Sequence, residues 1–120
     1  YLLSFFGKYK DYFEVPKLKK NIQTGWLAFP LLIKKNSLFD RTDFQIFLEK
    51  NNIQTRTIFT GNILKQPIMK KQIYKKHPKA EENSTEIMIR GVLLGCHQGL
   101  KIQDLNYIKK IVIKFLNKYK

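Results

Sequence analysis

The spacing of apolar positions changes several times along the 120-residue chain, and each change marks a predicted element. Four segments repeat apolar residues every three or four positions, which predicts helices, whereas three short segments are rich in apolar or β-branched residues, which predicts strands. The resulting order is α-β-α-β-α-β-α, and three strands with packed helices predict a small α/β domain. The predicted helices cover 1–13, 41–51, 85–90 and 102–119, and the predicted strands cover 26–33, 53–59 and 92–96.

Polar and small residues mark where several of these elements begin and end. Asp40 is a predicted N-cap, and Asp43 lies near the positive end of the same helix. Ser84 or Thr85 is expected to open the third helix, and Gly91 is expected to close it as the C′ residue. One apolar face runs along the whole last helix: Ile102, Leu105, Ile108, Ile111, Val112, Phe115, Leu116 and Tyr119.

The first predicted strand carries two aromatic residues and a proline. Trp26 and Phe29 are expected in the core, on opposite faces of the strand, because side chains alternate along it. Pro30 has no N–H to donate to a neighbouring strand, so it predicts an edge position or a bulge.

Composition adds a strong positive charge to this picture. The formal net charge is +14, from 23 basic and 9 acidic residues, and only Arg41, Arg56 and Arg90 are arginines. Lysines spread along the chain predict a solvated surface rather than a specific nucleic-acid interface, in which arginine dominates. A basic module that binds nucleic acid is the alternative function. No apolar run approaches the roughly 20 residues that span a bilayer, so no membrane partner is predicted.

The stretch “TRTIFTGNILKQP”, residues 55–67, starts like a strand and continues with polar residues that can hold a ligand. Arg56 can anchor an anion or a hydroxyl group, and Gly61 allows the backbone to approach a ligand closely. Asn62 and Gln66 offer both donors and acceptors. By composition alone, a structural turn and a binding loop are equally supported.

A second break, “GCHQG” at 95–99, follows the last predicted strand. Ligands bind at strand ends in α/β folds, so His97 is a candidate binding residue. Cys96 and His97 are not predicted to act as a catalytic pair, because neighbours on a strand point to opposite faces. Cys96 is the only cysteine, which excludes an intrachain disulfide and fits a reducing cytoplasm. No motif predicts a metal site or a catalytic residue.

Four stretches together resemble the C-terminal segment of the DegT-type nucleotide-sugar aminotransferase family. They are “GWLAFPLLI”, “IQTRTIFTGNILKQP”, “NSTEIMIRGVLLGCHQGL” and the final amphipathic helix. Among the branches of this family, the chain looks most like the CDP-6-deoxy-hexulose 3-dehydrase group of lipopolysaccharide biosynthesis. That group shares the tryptophan-led strand, a “TRxxFxGNxxxQP” loop and an “N(S/T)…IM” helix in the same order.

This resemblance implies the small C-terminal domain of a fold-type I pyridoxal-phosphate enzyme, α+β in class, with a short, mainly antiparallel sheet packed against helices. Residues 1–14 would be the end of an inter-domain helix, and 15–120 would be the small domain. The large domain, absent from this chain, would bind pyridoxal phosphate through a lysine, or carry a histidine there in 3-dehydrases. The resemblance further implies a cytoplasmic homodimer, a nucleotide-sugar substrate, and no activity or bound cofactor in the isolated chain.

The same resemblance makes the loop at 55–67 one wall of a sugar-nucleotide pocket. Arg56, Phe59, Asn62 and Gln66 match the positions of the family pattern and are expected to bind substrate.

Two departures from the pattern leave both reactions open. Leu27 stands where, by resemblance, 3-dehydrases have an aromatic residue and where aminotransferases often have histidine. Glu86 stands where dehydrases tend to have arginine before “IM”, and Arg90, one helical turn later, is a candidate replacement as a substrate ligand. Aminotransferase and 3-dehydrase are therefore both retained as predictions.

Overall fold

Four helices and four strands make up the part of the chain that the computed structural model describes, which is residues 1–59, 61–77 and 79–120. Short 3-10 turns lie at Gly7–Tyr9, Ile63–Lys65 and Pro67–Lys71. The elements in chain order are α1 (Leu2–Phe6), β1 (Phe13–Glu14), β2 (Ala28–Ile33), α2 (Arg41–Glu49), β3 (Thr55–Thr57), α3 (Ala80–Arg90), β4 (Gly91–Gly95) and α4 (Ile102–Leu116).

The strands form one antiparallel sheet in the order β1-β2-β4-β3. Leu94 of β4 lies opposite Phe29 of β2 on one side and opposite Thr55 of β3 on the other. These three side chains are buried and face the helices, whereas Arg56, the neighbour of Thr55, is exposed. The prediction of a small, mainly antiparallel sheet packed against helices is confirmed.

The N-terminal segment differs from its prediction. Its helix ends at Phe6, a 3-10 turn follows, and Phe13 lies in strand β1 instead of on a helix. The aromatic residues of this segment have helical spacing, but they reach the core from two different elements. The Phe6 and Phe13 ring centroids are 5.3 Å apart. The sheet consequently has four strands and not three. The division into the end of an inter-domain segment at 1–14 and a small domain at 15–120 stays a prediction.

The third helix also differs, at both ends. It starts at Ala80 instead of Ser84 or Thr85, without a side-chain cap on Lys79. Gly91 is not a left-handed C′ residue, since its backbone is extended (φ −80°, ψ 135°) and it is the first residue of β4. Glycine is required there for space: a Cβ atom would lie 2.5 Å from the Ile87 carbonyl oxygen. α3 therefore passes into β4 with no intervening residue.

Several other boundary predictions are confirmed. Asp40 accepts from the Asp43 backbone N–H at 2.8 Å, and Asp43 accepts from the Asp40 N–H at 3.2 Å, which forms a capping box. The apolar face of α4 is buried from Ile108 onward, although Ile102 is exposed. The position of Pro30 differs from the prediction, because β2 is an inner strand of the sheet and not an edge strand. Within the described residues β1 does not extend to Pro30, which therefore pairs on one side only, with β4.

The two aromatic residues of the first predicted strand have different surroundings. Phe29 is buried in the core, as predicted. Trp26 precedes β2 and is only half-buried, with its ring centroid 5.9 Å from that of Phe29. Leu27 between them is 89% exposed. The strand is therefore two residues shorter at its start than predicted.

Candidate functional site

A cavity of about 400 Å³ lies at one end of the sheet, against the first turns of α4. The start of β3, the end of β4 and the start of α4 surround it because antiparallel strand order brings these three chain ends together. Its wall is mainly apolar, which suits the body of an organic ligand. The apolar residues that line it are Ala28, Ile53, Leu93, Leu94, Leu100 and Ile108.

Arg56 and His97, two of the predicted site residues, line this cavity together. They are 41 positions apart in the sequence and meet because β3 and β4 are neighbours, with Arg56 opposite Leu93. Asp104 and Tyr107 of α4 line the same cavity, and sequence reasoning missed both. To identify them, one would have to know how α4 packs on the sheet. The apolar stripe of α4 does not give this information.

The Arg56 side chain makes no hydrogen bond or salt bridge with any residue of 1–59, 61–77 or 79–120. The other two arginines are engaged by backbone carbonyls. Arg41 donates to the Met88 oxygen at 2.6 Å, and Arg90 donates to the Ile33 oxygen at 2.6 Å. Arg56 thus offers its donors to the cavity.

The strand that carries Arg56 is tied to α2 by a small polar network. Thr55, which is 3% exposed, donates through its backbone N–H and its hydroxyl to Glu49 Oε1, at 2.9 and 2.8 Å. Gln45 Nε2 donates to the same hydroxyl at 3.0 Å. Because Thr55 points into the core, its neighbour Arg56 points out of it. No sequence pattern indicates this network, because Glu49 has the spacing of an ordinary helix-surface residue.

The network predicts a pH-dependent stability. The Thr55 backbone N–H, then its hydroxyl, lower the pKa of Glu49, and Arg56 adds a smaller contribution. A carboxyl whose pKa is lower in the folded chain stabilises the fold at neutral pH, and this stabilisation is lost as the pH falls through the lowered value. We expect the free energy of unfolding of the natural chain to drop more between neutral pH and about pH 3 than that of Glu49→Gln. Urea titrations of both proteins measure this.

Glu81 serves as the internal control for that comparison. Its pKa is also lowered, by its contact with Lys76, but it is present in both proteins and its contribution cancels. An equal acid loss in the natural chain and in Glu49→Gln contradicts the prediction.

His97 has a defined orientation in a tight turn. Its Nδ1 accepts from the Gly99 backbone N–H at 3.1 Å, and its carbonyl accepts from the Leu100 N–H at 3.1 Å. In the neutral ring the proton therefore sits on Nε2, which is a second donor beside Arg56.

Asp104 and Tyr107 already have partners within the described chain. Asp104 accepts from the Lys101 backbone N–H at 2.8 Å at the start of α4. The Tyr107 hydroxyl donates to the Asn51 carbonyl at 3.1 Å. These two residues shape the cavity, while Arg56 and His97 present its available donors.

Phe59, Asn62 and Gln66 do not line this cavity. Phe59 is 83% exposed, whereas Asn62 is buried against α3. Gln66 is half-buried and joins two 3-10 turns: its N–H donates to Ile63, and its carbonyl accepts from Met69, both at 3.0 Å. The three residues belong to one loop, but they face different surroundings.

Gly61 of the same loop has a positive φ of 65°. A Cβ there would lie 2.3 Å from the Met88 Cβ, so the close approach that glycine permits is to helix α3. This corrects the expectation that Gly61 brings the backbone close to a ligand.

Arg90 lies away from the cavity. Its Nε donates to Glu86 at 2.6 Å, one turn earlier on α3, and its Nη1 donates to Ile33 at the end of β2. Glu86, which stands where dehydrases tend to have arginine, and Arg90, its candidate replacement, therefore form a salt bridge with each other. A role of Arg90 in substrate binding stays a prediction.

Among the described residues, the cavity lined by Arg56 and His97 lacks the lysine with which an aminotransferase would hold pyridoxal phosphate. That lysine forms an aldimine with the cofactor in an enclosed pocket. No lysine within 1–59, 61–77 or 79–120 lines the cavity that holds Arg56 and His97. We therefore assign no chemical step to this cavity.

No described helix is long and apolar enough to cross a membrane.

Two curated proteins are similar to the chain, one named for lipopolysaccharide biosynthesis and the other named as a 3-dehydratase of a GDP-linked sugar. The chain is 28% identical over 98 residues to the lipopolysaccharide biosynthesis protein RfbH of Salmonella typhimurium, covering 82% of the chain and 22% of that protein. It is 27% identical over 109 residues to the GDP-4-keto-6-deoxy-D-mannose 3-dehydratase of Escherichia coli O55:H7, covering 90% and 28%. The chain thus spans about a quarter of the length of these relatives.

Solved structures of GDP-4-keto-6-deoxymannose-3-dehydratase have the same fold over this region. One, with a trapped PLP-glutamate geminal diamine, superposes with a TM-score of 0.76 at 28% identity, covering 89% of the chain and 28% of the solved chain. A variant with bound GDP-perosamine gives 0.77 at 28% identity, covering 90% and 28%. Residues 6–113 match the model of the DegT/DnrJ/EryC1/StrS aminotransferase family, and the chain belongs to this family.

Proposed function

We propose that the chain is the C-terminal small domain of a pyridoxal-phosphate enzyme that modifies a nucleotide-linked keto-deoxysugar for lipopolysaccharide or surface polysaccharide synthesis. In this proposal the chain closes the substrate pocket and supplies part of its wall. The large domain and a second subunit complete a cytoplasmic homodimer. The observation that carries the proposal is that Arg56 and His97 line the same mainly apolar cavity, and that the Arg56 guanidinium makes no hydrogen bond or salt bridge with the described residues.

The chemistry of this cavity suits a sugar nucleotide. Phosphate oxygens and sugar hydroxyls accept hydrogen bonds, and a guanidinium donates to either, in two places at once where geometry allows. The Nε2–H of His97 adds a donor of another shape. The mainly apolar wall suits the body of such a ligand.

The relatives support this substrate class and leave the reaction type open. One is named for lipopolysaccharide biosynthesis, and another is a 3-dehydratase whose solved structure contains GDP-perosamine. Transamination and 3-dehydration are distinguished by the large domain, where a lysine supports the first and a histidine supports the second. The sequence of the large domain in the complete enzyme therefore decides between them.

The proposal predicts that the 120-residue chain alone forms no stable aldimine with pyridoxal phosphate, because its lysines lack the enclosed pocket that such a bond requires. Mixing the chain with the cofactor and following the absorbance tests this, with borohydride trapping and peptide mapping of any label. Diffuse, weak labelling of many lysines is the expected result. A stable aldimine band that traps at one lysine would contradict the assignment of the cofactor to a separate domain.

A further inference from the structure

We propose that Asn62 is a positioning residue: its buried carboxamide fastens the loop residues 61–66 to α3 and so limits where Phe59, just before them, projects, without touching substrate itself. The fastening depends on contacts within the chain alone. The role of Phe59 as part of the pocket wall rests on the proposed function.

Asn62 is 1% exposed, and its side chain is fully occupied. Its Nδ2 donates to the Glu81 carbonyl at 3.2 Å and to the Thr85 hydroxyl oxygen at 2.9 Å. Its Oδ1 accepts from the Leu64 backbone N–H at 3.0 Å. An amide group has two N–H donors, so neither donor of Asn62 is left for a substrate.

The Thr85 hydroxyl is oriented to accept a hydrogen bond from Asn62. Its hydroxyl donates to the Glu81 carbonyl at 2.7 Å, which leaves the oxygen lone pairs to accept from Asn62. Glu81 and Thr85 are one helical turn apart, and Met88 is one turn further along the same face. Gly61 packs against Met88, so two consecutive loop residues seat on one stripe of α3.

Phe59 shows what this fastening achieves. It has a positive φ of 43°, a conformation that is unfavourable for a residue with a side chain. Its ring is 83% exposed, so burial of the ring does not compensate for this strain. Strained backbone of this kind persists where the surroundings fix it, and often lies at a binding site. The Phe59 N–H donates to the Thr57 carbonyl at 2.9 Å, and the N–H of Gly61, which packs on α3, donates to the Ile58 carbonyl at 2.9 Å. The fastening of Gly61 and Asn62 to α3 therefore acts on the chain next to Phe59, in addition to the turn at Thr57.

The first experiment measures hydrogen exchange of single amides in the 120-residue chain by NMR. Asn62→Ala removes the acceptor of the Leu64 N–H, and we expect the exchange of this amide to rise roughly 3- to 10-fold, the effect of one lost hydrogen bond. Asn62→Asp keeps that acceptor but loses both donors to α3, so Leu64 should stay protected while the loop separates from α3. Asn83→Ala, an exposed asparagine on α3, is the matched control.

Substitutions of Thr85 test the same contact from the α3 side. Thr85→Val removes the hydroxyl at nearly constant shape and should reproduce part of the Asn62→Ala effect on loop exchange. Thr85→Ser keeps the hydroxyl and should restore the natural exchange. Unchanged exchange of the loop in Asn62→Ala and Thr85→Val would overturn the fastening.

The second experiment uses the complete enzyme that contains this chain. We expect Phe59→Ala and Asn62→Ala each to raise KM, and the double variant to resemble Phe59→Ala, because Asn62 acts through Phe59. Fully additive effects on KM would overturn the positioning role and indicate direct contact. If Phe59→Ala leaves KM unchanged while loop exchange rises in Asn62→Ala, the proposed pocket wall fails and the fastening stands.

Discussion

Replacing Arg56 with alanine should raise the KM of the complete enzyme for its nucleotide-sugar by about 10- to 150-fold and leave kcat nearly unchanged. The side chain makes no hydrogen bond or salt bridge with the described residues, and it lines the cavity that His97 also lines. A hydrogen bond to a charged group contributes roughly 1.5–3 kcal/mol, which corresponds to this range of affinity. If Arg56 also orients the sugar for reaction, kcat falls as well. Steady-state kinetics on purified, folded protein measure both constants.

Two further variants make this test specific. Arg56→Lys should restore only part of the lost affinity, since an ammonium group cannot reproduce the planar fork of donors. Lys110→Ala removes an exposed positive charge from α4 and should leave KM unchanged, which separates a contact from the general charge of the domain. Natural kcat and KM in folded Arg56→Ala would remove Arg56 from the site.

Replacing Phe44 with alanine should lower the free energy of unfolding by about 3–5 kcal/mol. Phe44 is completely buried in α2, and its ring centroid lies 5.3 Å from that of Phe13 and 5.2 Å from that of Phe115. The substitution leaves a cavity between helices and sheet that rigid neighbours cannot fill. The loss is a large part of the roughly 5–15 kcal/mol that stabilises a typical domain. Urea unfolding followed by Trp26 fluorescence measures it.

Phe59→Ala is the matched control, because it makes the same chemical change at a ring that is 83% exposed. Its free energy of unfolding should stay within about 0.5 kcal/mol of the natural chain. Similar losses at positions 44 and 59 would contradict the burial that the structure assigns to the two rings.

The sequence predicted best those elements that depend on local patterns. The apolar stripe of α4 and the capping residue Asp40 need only neighbours within one or two turns, and both are confirmed. Strand β1 was missed because its two residues are too few to show alternation and lie among aromatic residues at helical spacing. The start of α3 was misplaced because no capping side chain marks it.

The candidate site was predicted only in pieces. Arg56 and His97 were identified separately from strand ends, but their meeting depends on strand order, which no local pattern encodes. Asn62 was identified as polar and special, while its burial against Glu81 and Thr85 depends on how the loop packs on α3. Asp104 and Tyr107 looked like ordinary helix residues because their cavity exists only after the helix packs on the sheet.

The direct junction between α3 and β4 connects the loop residues 61–66, through their contacts with α3, to the sheet. β4 pairs with strands on both sides, and α3 continues from it without a linker that could act as a hinge. A backbone movement of residues 61 and 62 would break their contacts with α3, which is itself continuous with the sheet. Substrate preference in such a domain would change through exchange of exposed side chains such as Phe59, each of which can be replaced without disturbing the scaffold that presents it.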